Sequence, residues 1–225
     1  VKVRLRVLLL SETQMKKPTS SRILRAAVSL CLVFALFCTM GMMAFAQADD
    51  ALGTIREVFP DENLAQVMAV TLNKSVEDIV TRGELEHVGY IDGANCGIKS
   101  LEGMQYISKA SHVYLSGNSI ADLRPLKNLK EVTEVHGVKI GGQVIRLEPK
   151  QVQLGRLAVP NPTRSTLGVR GNVIDLNGGV LNIITGGVDF YGLKEAGEVS
   201  YEIGGWISNS TNQSYSATII QPYYL

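Results

Sequence analysis

Apolar and polar residues follow three different periods in turn along the chain. In "FPDENLAQVMAVTL" (59–72), Leu64, Val67, Met68 and Leu72 recur every three or four positions and predict one face of a helix. In "HVYLSGNSIADLRPLKNL" (112–129), Val113 and Leu115 alternate as in a strand, whereas Ile120, Leu123, Leu126 and Leu129 come at intervals of three. Neither a helix nor a strand accounts for that whole stretch. Farther on, Val199, Tyr201 and Ile203 alternate with Ser200 and Glu202, and Tyr215, Ala217 and Ile219 alternate again. Glycine-bearing turns ("NGG", "TGG", "EAGE") separate these runs, which predicts short strands packed as a sandwich.

The mixed stretch is one copy of a repeat. Sliding it back by 22 positions sets Ile91 on Val113, Gly93 on Leu115, Ile98 on Ile120, Leu101 on Leu123, Met104 on Leu126 and Ile107 on Leu129, with Cys96 on Asn118. Asn or Cys at that rung is a mark of the leucine-rich repeat, in which each copy is one coil of a solenoid. The Asn118 amide is expected to bond backbone groups that the turn leaves unpaired inside the coil, with Cys96 in the same place one coil earlier. Sliding forward by 22 sets Val135 on Val113, but Gly137, Ile140 and Gly142 then replace Leu115, Asn118 and Ile120, so the third copy is expected to decay. Strand residues between the inward positions stack in columns: Tyr90, His112 and Glu134; Asp92, Tyr114 and His136; Ala94, Ser116 and Val138. With parallel strands about 4.8 Å apart, these columns form one small exposed patch.

Upstream, "SVED" (75–78) and "TRGE" (81–84) fit the capping box, Ser75 with Asp78 and Thr81 with Glu84. Short helices directly before a first repeat predict a cap over the open solenoid end. The fold class is therefore α+β: a helical cap (49–88), two full repeats and a partial one (89–147), and a β-sandwich (148–225).

The first 48 residues stand apart. Lys and Arg total 22 and Asp and Glu 21; seven and one of these fall in 1–48, so positions 49–225 keep 15 and 20, a charge of about −5 that gives no reason to expect nucleic acid. "MKK" (15–17) precedes an uncharged run from Ala26 to Ala48 that ends in "AFAQA". This is the pattern of a secretory signal peptide, with Met15 as its start and cleavage after Ala46 or Ala48; the competing reading is an uncleaved membrane anchor. Cys31 and Cys38 would leave with the signal, and Cys96 alone cannot form an internal disulfide.

No catalytic constellation is present in the sequence. His87, His112 and His136 have no cysteine at metal-ligand spacing, and "GGQ" and "NGG" read as turns rather than phosphate cradles, so no catalytic residue, metal or cofactor is expected. The sequons at Asn73, Asn209 and Asn212 would carry no argument if the source is bacterial.

The cap "IREVFPDENLAQVMAVTLNKSVEDIVTRGEL" (55–85), the stretch "GIKSLEGMQYI" (97–107) and the repeat "LSGNSIADLRPLKNL" (115–129) resemble the internalins, secreted or wall-attached leucine-rich-repeat proteins of Gram-positive bacteria. "VPNPTRS" (159–165), "GEVSYEI" (197–203) and "SATIIQPYY" (216–224) resemble the immunoglobulin-like module that follows internalin repeats. The chain departs from that family in having fewer repeats and in ending without a sorting signal. The resemblance implies a non-catalytic, secreted or cell-surface, monomeric protein that engages an extracellular protein, such as a host surface protein, with no membrane contact once the signal is cleaved. The 22-residue register, rather than the resemblance, gives the expected contact residues: Tyr90, Asp92, His112, Tyr114, Glu134 and His136. The alternative is a structural spacer, or the remnant of a larger surface protein. A three-strand face is only about 10 Å across, small against the roughly 800 Å² per partner of a stable interface.

Overall fold

Local capping sets where the amino-terminal elements begin. β1 (Ala51–Thr54) pairs antiparallel with β2 (Ile79–Thr81), and three helices surround this ribbon: α1 (Ile55–Val58), α2 (Glu62–Leu72) and α3 (Arg82–Glu86). The computed structural model describes residues 50–129, 137–206 and 214–225, with the backbone alone of Trp206. The signal segment, Glu134, Val135, His136, Asn209, Asn212 and the packing of the Trp206 side chain lie outside the described residues. Thr81 and Glu84 form the expected capping box at α3, and Thr54 and Glu57 form a further one at α1. Ser75 and Asp78 do something else. The Ser75 N–H donates to the Asp78 carboxylate at 2.8 Å and the Asp78 N–H to the Ser75 carbonyl at 3.0 Å, closing a turn. Pairing of the next residues with β1 prevails over a helix there.

Asp61 fastens the cap to the first coil. One carboxylate oxygen accepts from the Asn63 and Leu64 N–H groups at the start of α2, and the other from the Lys99 and Ser100 N–H groups at 2.8 and 2.9 Å. Desolvation pushes its pKa up, but these four donors outweigh that and hold it below the usual aspartate value. The folded pKa is depressed, so the stabilisation is present above the unfolded value of about 3.9 and is lost as pH falls through the folded one. The stability gap between wild type and Asp61→Asn in urea titrations is therefore expected to be full at pH 7 and to shrink below about pH 4. A gap independent of pH would contradict this. α2 buries Leu64, Ala65, Met68 and Ala69 against the coils, with Val67 and Leu72 half-buried at its margin, and ends at Asn73 in the left-handed region (φ 53°).

The coils present parallel strands β3 (Tyr90–Asp92), β4 (His112–Tyr114) and β5 (Val138–Arg146). Ile91 lies opposite Val113, the expected step of 22, but Val113 lies opposite Val138, a step of 25. The third copy has therefore not decayed; it is offset by three. Val138, Ile140 and Ile145 take the buried positions of Val113, Leu115 and Ile120. Gln143 takes that of Asn118. The Asn118 amide donates to the Gly93 and Leu115 carbonyls, both at 2.8 Å, and its oxygen accepts from Ile98 N–H at 3.0 Å. One coil later the Gln143 amide donates to the Leu115 and Ile140 carbonyls at 2.9 and 3.0 Å, and accepts from Ile120 N–H at 3.0 Å. Cys96, by contrast, is exposed, with its thiol 3.4 Å from the Ala94 carbonyl. Among the described residues no coil precedes this one with carbonyls that need a donor, and Asn63 and Asp61 of the cap bond the backbone of this turn instead. On the return side, 3-10 turns at Met104–Tyr106 and Arg124–Asn128 bury Met104 and Leu126 beside Ile98, Leu101, Ile107, Ile120 and Leu123.

β5 does not end with the coils. Its second half pairs in parallel with β12 (Ser214–Tyr224), from Ile140 opposite Tyr215 to Arg146 opposite Ile220. β11 (Gly197–Trp206) is antiparallel to β12, and β8 (Asn172–Asp175) to β11; β6 (Lys150–Gln151) pairs with the end of β12. A second sheet, in the order β7 (Arg156–Val159), β10 (Gly187–Tyr191) and β9 (Val180–Asn182), contributes Leu157, Val159, Val188 and Phe190 to the core that Tyr201, Ile203, Tyr215, Ala217 and Ile219 complete. The Tyr215 hydroxyl donates to the Ile120 carbonyl at 2.8 Å, and burial raises its pKa so that it stays a donor. Across the expected division at 147/148, β5 pairs with β4 on one side and β12 on the other, so the coil strands and the strands β12, β11 and β8 share one sheet, and residues 50–225 form one compact unit.

Candidate strand-face binding surface

The alternation that buries Ile91, Val113 and Val138 turns their neighbours outward. Tyr90 and Asp92 are exposed on β3, His112 and Tyr114 half-exposed on β4, and Lys139 exposed on β5. Tyr90 and Tyr114 meet edge to face with ring centres 5.7 Å apart, His112 and Tyr114 likewise at 6.2 Å, and Tyr90 and His112 lie 6.1 Å apart. The Lys139 ammonium sits 4.9 Å from the centre of the Tyr114 ring, within the range of a cation–π contact. Ser111 Oγ lies 3.0 Å from His112 Nδ1, and the Tyr90 hydroxyl donates to Asp92 at 3.3 Å. Desolvation and then the Asp92 carboxylate raise the Tyr90 pKa, so this hydroxyl stays a neutral donor.

Tyr90, Asp92, His112 and Tyr114 are therefore brought together as one cluster. The register sets Lys139, not His136, beside Tyr114, while Glu134 and His136 themselves lie outside the described residues. A fixed step of 22 does not reach Lys139, because β5 stands three residues beyond it. The outward face does not stop at the coils. Past a bulge at Gly141 and Gly142, Val144 and Arg146 of β5, Thr218 and Ile220 of β12, and Glu198 and Glu202 of β11 continue it, with an ion pair between Arg146 and Glu198.

Among the described residues no group of three or more His, Cys, Asp or Glu could hold a metal ion, and no helix is long and apolar enough to cross a membrane. The arrangement is a strand-face surface of clustered rings on a capped stack of parallel strands.

The comparisons with known proteins agree in class. Residues 46–86 match the internalin amino-terminal family, described as "Bacterial adhesion/invasion protein N terminal". Over its cap and first coils the chain is similar to the internalins, in line with the sequence resemblance. Internalin C of Listeria monocytogenes is 38% identical over 90 residues, which is 39% of this chain and 30% of that protein. The chain thus spans under a third of the length of that curated relative. A solved internalin C2 from L. monocytogenes is 32% identical, covering 42% of this chain and 40% of that one, with a TM-score of 0.38. The CBM51-2 and INT domains of Clostridium perfringens ZmpB share the fold over 74% of this chain and 36% of that one, with a TM-score of 0.54 at 18% identity.

Proposed function

We propose that this chain is an exported, non-catalytic protein-binding module, with leucine-rich-repeat coils running into an immunoglobulin-like sandwich. It engages an extracellular protein, in the manner of the adhesion and invasion family a host surface protein, through Tyr90, Asp92, His112, Tyr114 and Lys139. Glu134 and His136 are further candidates in the segment that leads into β5. The observation that carries this reading is the cluster of three rings with Lys139 seated on Tyr114. Rings that already brace one another lose little freedom on binding, and aromatic side chains near the centre of a patch tend to carry most of its energy. The small span of three strands is less of an obstacle than it seemed in sequence, since β5 carries the face on to β12 and β11.

Replacing both Tyr114 and Lys139 by Ala is expected to leave the chain folded at a cost of about 1 to 3 kcal/mol, since half-exposed Tyr114 loses its two ring contacts and the Lys139 contact. Capture of a partner from a host-surface extract is expected to fall at least about tenfold, the loss typical of removing a hot spot. Equal capture by both proteins would favour the spacer reading, which the shared strand β5 supports by making coils and sandwich one rigid sheet.

Export rests on the signal pattern at 15–48. Secreted protein is expected to begin at Gln47 or Asp49 on amino-terminal sequencing, and recovery of an intact, membrane-bound chain would contradict it.

A further inference from the structure

A cleft of about 900 Å³ lies between α2 and β3. Val67, Val70 and Leu72 line one wall, and Val88, Tyr90 and Asp92 the other. Three features of it call for a particular occupant.

The first is an open strand edge. β3 is the terminal strand of its sheet and among the described residues pairs only with β4. The Gly89 carbonyl and the Gly93 N–H both point to β4, bonded to His112 and Tyr114. In a parallel ladder, alternate residues turn their backbone groups to opposite sides, so those of Tyr90 and Asp92 face outward along the edge. The second is an apolar side chain that the core does not use: Val70, in the last turn of α2, is 80% exposed. The third is charge. No Lys or Arg lines the cleft, and of its two carboxylates Glu84 is already paired with Lys74. Asp92 has no cation partner among the described residues.

We propose that this cleft takes an extended peptide segment of a partner protein, which adds a strand to the outer edge of β3, seats an apolar side chain against Val67, Val70 and Leu72, and brings a Lys or Arg to Asp92. Main-chain hydrogen bonds supply affinity in such strand addition, and the pockets for alternate side chains supply selectivity. An unpaired edge otherwise invites unselective pairing with other chains, and a helix standing beside it restricts what can enter. This site goes beyond the strand-face reading: it shares Tyr90 and Asp92 with that face but does not use Tyr114 or Lys139.

The test is to pan a random dodecapeptide library on the full chain and measure the selected peptides, as synthetic labelled probes, by fluorescence anisotropy. The expected peptides alternate apolar residues with at least one Lys or Arg. Their affinity is expected to fall tenfold or more with Val70→Arg, to weaken with Asp92→Asn, and to be lost when alternate backbone amides of the peptide are N-methylated. Val70→Arg lies on the exposed side of α2, and an unchanged thermal melt verifies that it folds. Tyr114→Ala is expected to leave peptide affinity unchanged, which separates this site from the strand face. A library that yields no peptide dependent on Val70, or peptides that tolerate N-methylation at every position, overturns the proposal.

Discussion

Asn118→Ala is expected to be among the most destabilising single substitutions in the chain. It removes two donors and one acceptor from groups that lie inside the stack, leaving the Gly93 carbonyl and the Ile98 N–H without these partners and the Leu115 carbonyl with the Gln143 amide alone. Asn118 is only 3% exposed, so water does not replace those bonds freely. Each buried group left unpaired costs about 1 to 3 kcal/mol, and the expected loss in chemical denaturation is about 3 kcal/mol or more. Gln143→Ala is expected to cost a similar amount, since its amide makes the same three kinds of bond one coil later. Cys96→Ser serves as the control, because an exposed thiol outside the rung should change stability by no more than about 0.5 kcal/mol. If Asn118→Ala and Cys96→Ser prove equally mild, the coil network is not what holds the stack together.

The second large effect concerns a glycine with no chemistry of its own. Gly103 adopts φ +100°, and a Cβ built there falls 2.4 Å from Cδ1 of Phe59 and 2.4 Å from the Val58 carbonyl oxygen. Phe59 is fully buried between the cap and the first coil, so it has nowhere to retreat. Strained backbone and overpacking together are expected to cost Gly103→Ala about 3 kcal/mol or more, a drop in melting temperature on the order of 10 °C. Gly142→Ala isolates the backbone component, for Gly142 also has positive φ (+68°) but nothing within 4 Å of the added carbon. A melt of Gly103→Ala no lower than that of Gly142→Ala would show that cap and coil can separate at this point without cost.

The cap helix and the first two coils were legible because each states its period in its own residues. Leu64 and Met68 give the helical face, and the six matched positions of the 22-residue slide are all buried or, at Leu129, half-buried. The third coil is just as plain once the spacing is freed: "VYLSGNSI" (113–120) and "VKIGGQVI" (138–145) share every inward position, with Gln143 for Asn118. A fixed period hid it, since three further residues between the coils move the register without altering the rung. Cys96 misled for the opposite reason. Its place in the pattern is correct, but the rung serves the coil before it, and the cap occupies that side. The aromatic cluster was legible as columns on β3 and β4, whereas Lys139 depended on the shifted register. The cleft beside β3 was not legible, because it is made by the angle at which α2 meets a strand edge and no local spacing encodes that.

The pairing of β5 with β12 also decides how the molecule bears load. The two strands run in parallel, in continuous register from Gln143 to Arg146 beyond the bulge at Gly141 and Gly142. A pull that holds the coils at one end and draws on the carboxyl end of β12 at the other slides these strands lengthwise past each other. Every bond of that ladder then resists at once instead of opening one after another, so tension arriving from the sandwich reaches the aromatic face through a joint loaded in shear.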